Sequence, residues 1–196
     1  MAIIGFLGRK GHGKDTASDY LVDNYGYVKI ALATPLKEAC RILFDFDEEQ
    51  LYGNKKENID PNWNVSPRTV YQYLGTDIFR RDINKIIPDI KDNFWAKRLE
   101  NKICQIMSEA YGTDIVISDV RFQNEVDVIH GFGGTVIKIF RPNIENESNH
   151  ISECGIERIK LKTKTIMNDG TKDDLYHKLD ILMDDVNMDK ILMKYM

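Results

Sequence analysis

The sequence is short of cysteine, of long apolar runs and of excess positive charge, and each shortage removes a class of protein. Cys40, Cys104 and Cys154 are odd in number, far apart and outside any C-x-x-C pair, so neither a disulfide framework nor a zinc site is expected. All three read as small buried hydrophobes in a reducing cytosol. No apolar stretch approaches the ~20 residues of a membrane helix, and the N-terminal run is broken by Gly5 and Gly8 and followed by charge. A net charge of −4 with 30% charged residues lacks the basic footprint of a duplex binder. Neither a membrane nor a nucleic-acid polymer is expected as a partner. Internal repeats and low-complexity tracts are missing as well.

What remains is 196 residues, 42% of them hydrophobic, enough for one sizeable core and at most a small appended lid. Short β-rich runs alternate with longer helical patterns, the sequence form of a parallel sheet wrapped by helices. Strands are expected at Ile3 to Leu7, Val28 to Leu32, Ile115 to Ser118, Thr135 to Phe140 and Thr165 to Met167. Helices are expected at Thr16 to Tyr25, Thr34 to Phe44, Pro67 to Phe79, Asn93 to Tyr111, Asn124 to His130 and Lys172 to Asn187, the last capped by Asp169 or Thr171. Met183, Met188, Met193 and Tyr195, in or near that last helix, suit either core or a homodimer face. Residues 45–65 and 142–163 are polar, turn-rich and too long for plain connections, so they read as mobile covers or binding loops.

The stretch "GFLGRKGHGKDTASDYL" opens the chain's chemistry. Gly8 to Asp15 matches G-x-x-x-x-G-K-[ST] at every fixed position but the last, where Asp15 replaces the hydroxyl residue. Glycines let bare N–H groups approach phosphate oxygens, the helix that follows presents its positive end, and Lys14 bridges the outer phosphates. His12 reads as a solvated loop residue. A dinucleotide fingerprint would require glycine at 16, where Thr16 stands. A carboxylate beside a triphosphate repels it unless a cation lies between, so Asp15, assisted by Thr16, is a candidate Mg²⁺ ligand. Asp119, at the end of the apolar run in "DIVISDVR", is the candidate second carboxylate.

Guanine-reading N-K-x-D is absent: "NKKE" and "NKII" both lack the aspartate. A phosphotransferase needs a second anion site, and Lys37, Arg68, Arg80, Arg81, Trp95, Arg121 and Glu125 are candidates for it. Lys37 and Arg121 follow the second and third strands, at the carboxyl edge where open α/β sheets bind ligands.

Several of these segments occur together in one known family. "GKDT", "LATPLKEA", "PRTVYQYLGTD", "FWAKRL", "DVRFQNE", "GGTVIKIFRP", "SNHISE" and "IMNDGT", in this order and over most of the chain, resemble the phage-type deoxynucleoside monophosphate kinases. The resemblance implies a three-layer α/β P-loop kinase fold: a five-stranded parallel sheet with helices on both faces, residues 45–111 as an acceptor-binding insertion and residues 142–163 as a lid, within one domain of 1–196. It implies that Gly11, Gly13, Lys14, Asp15 and Thr16 hold ATP, with Asn168 and Asp169 near adenine. It further implies that Lys10, Lys37, Arg68, Gly75, Thr76, Asp77, Arg80, Trp95, Arg121 and Glu125 surround the acceptor. Gly11 offers ATP no side chain, and the double arginine leaves open which of Arg80 and Arg81 faces substrate.

The implied reaction is transfer of the γ-phosphoryl group of ATP, with Mg²⁺, to a deoxynucleoside monophosphate (dNMP), Lys14 and Arg121 being catalytic. ATP and a dNMP are then the partners, with at most a second copy of the chain, and the location is cytoplasmic, in a host cell if the source is viral. The competing readings are a P-loop kinase for dephospho-coenzyme A or phosphomevalonate, and a non-catalytic nucleotide-binding module.

Overall fold

The computed structural model describes residues 1–142, 156, 159 and 164–194. These form two compact units, Met1–Ala31 with the residues from Leu99 onward, and Leu32–Arg98.

The first unit is built on five parallel strands, β1 (Ile3–Leu7), β2 (Val28–Ile30), β3 (Ile115–Val120), β4 (Thr135–Phe140) and β5 (Thr165–Met167), in the order β2-β3-β1-β4-β5. The central strand β1 is buried along its whole length, which is why it reads as continuous apolar sequence. Its alternation separates two faces. Ile4 and Phe6 join the buried cluster of Ala17, Leu21, Leu175, Leu179 and Met183, from helices α1 (Lys14–Tyr25) and α7 (Lys172–Lys194). Gly5 points the other way, where an added Cβ would lie 2.6 Å from Ile129 Cδ1 of α6 (Gln123–Gly131). Helices thus cover both faces of the sheet, in three layers.

The second unit holds α2 (Thr34–Phe44), α3 (Glu48–Leu51), α4 (Pro67–Tyr73), a π-helical stretch (Leu74–Arg81), short 3₁₀ turns and the first residues of α5 (Phe94–Glu109). Cys40, Phe46, Leu51 and Val70 form one buried cluster, and Leu36 and Trp95 are buried as well. Asp60 is buried and accepts from the Gln50 side chain (2.6 Å) and the amides of Asn62 (2.8 Å) and Trp63 (3.1 Å).

Several expectations change. Residues 45–65 are not simple loop: Asp47 and Gln50 cap α3 reciprocally, and Phe46 and Leu51 are core. The helix expected through Phe79 leaves α geometry at Leu74. β2 ends at Ile30, before the turn into α2, and β3 runs on to Val120. Thr171, not Asp169, caps α7: its Oγ1 accepts from the Asp174 amide (3.2 Å) and its own amide donates to Asp174 Oδ2 (2.7 Å). Burial pushes the Cys40 thiol up to about 11, as for an inert hydrophobe, but Cys104 is exposed; Cys154 lies outside the described residues. Met183 is core and Met188 is exposed. Among the described residues no helix is long and apolar enough to cross a membrane.

Candidate active site

Because the sheet is parallel, the carboxyl ends of β1, β3, β4 and β5 share one edge, and the chemistry-bearing residues of the first unit cluster in sequence just past those ends. β1 runs directly into the glycine loop. Gly11 and Gly13 have φ of 81° and 99°, a backbone that side-chain-bearing residues rarely adopt. Gly13 is the N-cap of α1, so the loop delivers the positive end of that helix, with its bare N–H groups. Lys14 is buried, and its Nζ donates to the Arg9 carbonyl (2.9 Å), keeping the ammonium within the curve of the loop.

His12 corrects its expected role. It is 3% exposed, with Nδ1 3.1 Å from the Ile139 carbonyl and its ring edge-on to Phe140 at 5.4 Å. A polar loop residue is here part of the interior, anchoring the loop to β4. Asn168 is also buried, and its Nδ2 donates to the His12 carbonyl at 3.0 Å. Asp169, beside it, is exposed and paired with Lys178 at 2.7 Å, which holds its carboxyl below the ordinary aspartate range.

Asp15 sits in the first turn of α1 with its side chain 81% exposed, 3.4 Å from Lys29 Nζ. Lys29 also reaches Asp19 at 2.8 Å. Burial pulls the Lys29 ammonium down, but Asp19 and Asp15 outweigh this and raise it above the ordinary lysine value. Asp119 lies where the β1–β3 register slips: Gly5 faces Ile117 but Leu7 faces Val120, so Ser118 and Asp119 together oppose Phe6. Such a bulge re-aims a side chain at a strand end. Past β3, Glu125 is 3% exposed and its Oε2 accepts from the amides of Arg121 (2.8 Å) and Phe122 (3.1 Å). That carboxylate therefore caps α6 and fixes the backbone that carries Arg121. Thr16 is half-buried, and Lys10 is exposed.

In the second unit, Lys37 Nζ lies 4.3 Å from the centroid of the Tyr52 ring and 5.8 Å from that of Tyr71. Both phenols are pushed up to about 12, chiefly by burial and at Tyr52 also by its hydrogen bond to Glu38. They remain neutral at physiological pH and present π faces to the ammonium. Arg68 pairs with Glu57 at 3.2 Å. Gly75, Thr76, Asp77 and Arg80 all fall in the π-helical stretch. This geometry is uncommon and recurs at functional sites. Trp95 is 8% exposed, packed edge-on to Phe79 and Phe94, and its Nε1 donates to the Gly75 carbonyl at 2.8 Å. Of the two arginines, Arg80 is buried with Nη1 3.2 Å from the Asp92 carbonyl, while Arg81 is largely exposed and paired with Asp77 at 2.9 Å.

The family model for deoxynucleotide monophosphate kinase matches residues 42–179. A protein of Acanthamoeba polyphaga mimivirus, provisionally named a deoxynucleotide monophosphate kinase, is 38% identical over 182 residues, covering 91% of this chain and 94% of its own length. The chain belongs to the deoxynucleotide monophosphate kinase family. The deoxynucleotide monophosphate kinase of Enterobacteria phage T4 is 24% identical, with 91% of this chain and 97% of its own covered. For the fold, an unliganded sugar kinase from a Janibacter species superimposes with a TM-score of 0.54 at 11% identity, over 94% of this chain and 95% of its own.

Membership in the kinase family sets aside the non-catalytic reading and the other small-molecule kinases. Sequence reasoning missed four residues that shape the glycine loop or the second unit: buried His12, Lys29 beside Asp15, and the Tyr52 and Tyr71 faces under Lys37. None is a fixed position of the phosphate-loop pattern; each acts through a neighbour distant in sequence.

Proposed function

We propose that this deoxynucleotide monophosphate kinase seats the polyphosphate of ATP on Gly8–Thr16 and takes its acceptor on Lys10, Lys37, Arg68, Gly75–Asp77, Arg80, Trp95, Arg121 and Glu125. The observation that carries this is the loop itself: left-handed Gly13 at the N-cap of α1, with Lys14 Nζ folded back to 2.9 Å from the Arg9 carbonyl. A phosphate's second pKa is about 6, so a dNMP arrives as a dianion and needs no strong base. The obstacle is repulsion between two anions. Lys14 and Arg121 offset it and stabilise the charge on the transferring oxygens.

Asp15, Thr16 and Asp119 fit a Mg²⁺ ion in donor chemistry. No group of three or more His, Cys, Asp or Glu able to hold a metal exists among the described residues, and Mg²⁺ bound through one or two carboxylates plus substrate phosphates needs none. When bound, the ion would neutralise phosphate charge. The lid assigned to 142–163 lies almost wholly outside the described residues; its proposed task is to exclude water from the reaction.

The test is ADP formation from ATP across dNMPs, their ribose counterparts, dephospho-coenzyme A and phosphomevalonate, each with Mg²⁺ and with chelator. Turnover is expected with at least one dNMP and is lost on chelation. ADP formation only with the non-nucleotide acceptors would overturn the reading.

A further inference from the structure

Asn168 stands out because a buried amide needs a reason. It is 5% exposed, yet its side chain lies in the turn between β5 and α7, a place where polar groups ordinarily face water. Its Nδ2 donates to the His12 carbonyl at 3.0 Å, and its own amide donates to the Phe140 carbonyl at 2.7 Å. From the other side, a Cβ on Gly13 would lie 2.5 Å from Asn168 Nδ2. His12 is secured in parallel, through Nδ1 to the Ile139 carbonyl at 3.1 Å. A Cβ on Gly8 would come within 2.5 Å of that same Ile139 oxygen. The glycine loop is thus pressed onto the ends of β4 and β5 at three points, and at Gly13 only a residue without a side chain fits over the Asn168 amide.

We infer that Asn168 is a positioning residue for the phosphate loop, holding the His12–Gly13 peptide so that the N–H groups beyond it stay aimed at polyphosphate. This rests on the reading of Gly8–Thr16 as the polyphosphate socket. The amide is spent on the loop backbone, and its effect on ATP travels through phosphate rather than through the base. An N–H group held in place before binding costs no ordering when the ligand arrives. Without the Asn168 donor, the His12 carbonyl loses this 3.0 Å bond and the loop is held less firmly in place.

The experiment compares Asn168→Ala and Asn168→Leu, which is uncharged, keeps much of the volume and removes the N–H₂ donor, with the unaltered protein. Dissociation constants are measured for ATP, for GTP and for inorganic tripolyphosphate, which has no base, with thermal melts to establish folding. All three ligands are expected to weaken together, by roughly tenfold. Should only the alanine variant fail to fold, the leucine variant carries the comparison. Weakening of ATP with tripolyphosphate unchanged would make Asn168 a base contact and overturn the proposal, as would unchanged affinity for every ligand. Failure of the unaltered protein to bind tripolyphosphate or ATP would instead overturn the socket itself.

Discussion

The two units carry their candidate anion-binding groups by different means. In the first, the elements proposed to hold phosphate are mostly backbone: glycine N–H groups and a helix end, with one lysine side chain added. They rest on a five-stranded sheet packed on the buried cluster around Ile4 and Phe6. In the second, the candidate ligands are side chains propped by other side chains. Lys37 leans on tyrosine rings, Arg68 on Glu57, Arg81 on Asp77. A backbone site tolerates almost no change in its supporting atoms, whereas a side-chain site can be retuned one residue at a time. Donor binding is therefore expected to be all-or-none under mutation, and acceptor binding to be graded.

The sharpest separation comes from Lys14→Ala. Turnover is expected to fall by about 10²–10³-fold while circular dichroism stays that of the folded protein; near-normal turnover would take the lysine out of the mechanism. Next is a pair of glycines. Gly13→Ala combines φ of 99° with a 2.5 Å approach to Asn168, and urea unfolding should show a loss of roughly 1–3 kcal/mol. Gly75→Ala meets only the Leu36 Cδ2 methyl, at 3.0 Å, and should cost less than about 1 kcal/mol. Equal losses at the two positions would erase the contrast between the units.

Smaller still is the effect of Tyr52→Leu, which removes one face from under Lys37. It should raise the KM for dNMP by about two- to fivefold, the value of an exposed cation–π contact of ~0.5–1 kcal/mol, with the KM for ATP unchanged. Tyr52→Phe, which keeps the ring, should restore most of the difference.

The smallest effect concerns the pin between α1 and α7, where the Tyr25 and Tyr20 hydroxyls both donate to Asp180 Oδ1 at 2.7 Å. These bonds, Tyr25 first, lower the Asp180 carboxyl from its ordinary 3.8. A depressed value in the folded protein means stability that is present above pH 3.8 and disappears as pH falls through the lowered value. The stability gap between the unaltered protein and Asp180→Ala should be flat above pH 4 and close on acidification. A gap that widens in acid would contradict the assignment.

The strands and the glycine loop could be read from the chain because burial on both faces writes continuous apolar runs, and phosphate chemistry writes glycines at fixed spacing. Four of the six helices were placed to within two residues at both ends for the same reason of periodicity. The π-helical stretch could not be read: Leu74–Arg81 has apolar spacing that suits an α-helix equally well, and the wider turn accompanies the Trp95 bond to the Gly75 carbonyl, twenty residues away. His12 and Asn168 were opaque on similar grounds. Each is a polar residue in a glycine-bearing turn, which normally means solvent, and only the ends of β4 and β5 bury them. Glu125 was seen as a charge near the acceptor, but its capping of the Arg121 and Phe122 amides depends on where β3 ends, and β3 extends two residues further than its apolar run.

The wide coil between Leu74 and Arg81 has a consequence for how this enzyme's relatives can vary in length. Two guanidiniums stand side by side there, one tucked in and one outward, and their assignment is a matter of angular phase. Removing a single residue upstream of them, with the downstream backbone unchanged, would step each side chain back one position, about 100° around the axis of an ordinary α-helix, and would carry Arg81 into the inner place that Arg80 now holds. Single-residue gaps at this point in an alignment would therefore be switches of chemistry rather than neutral trims.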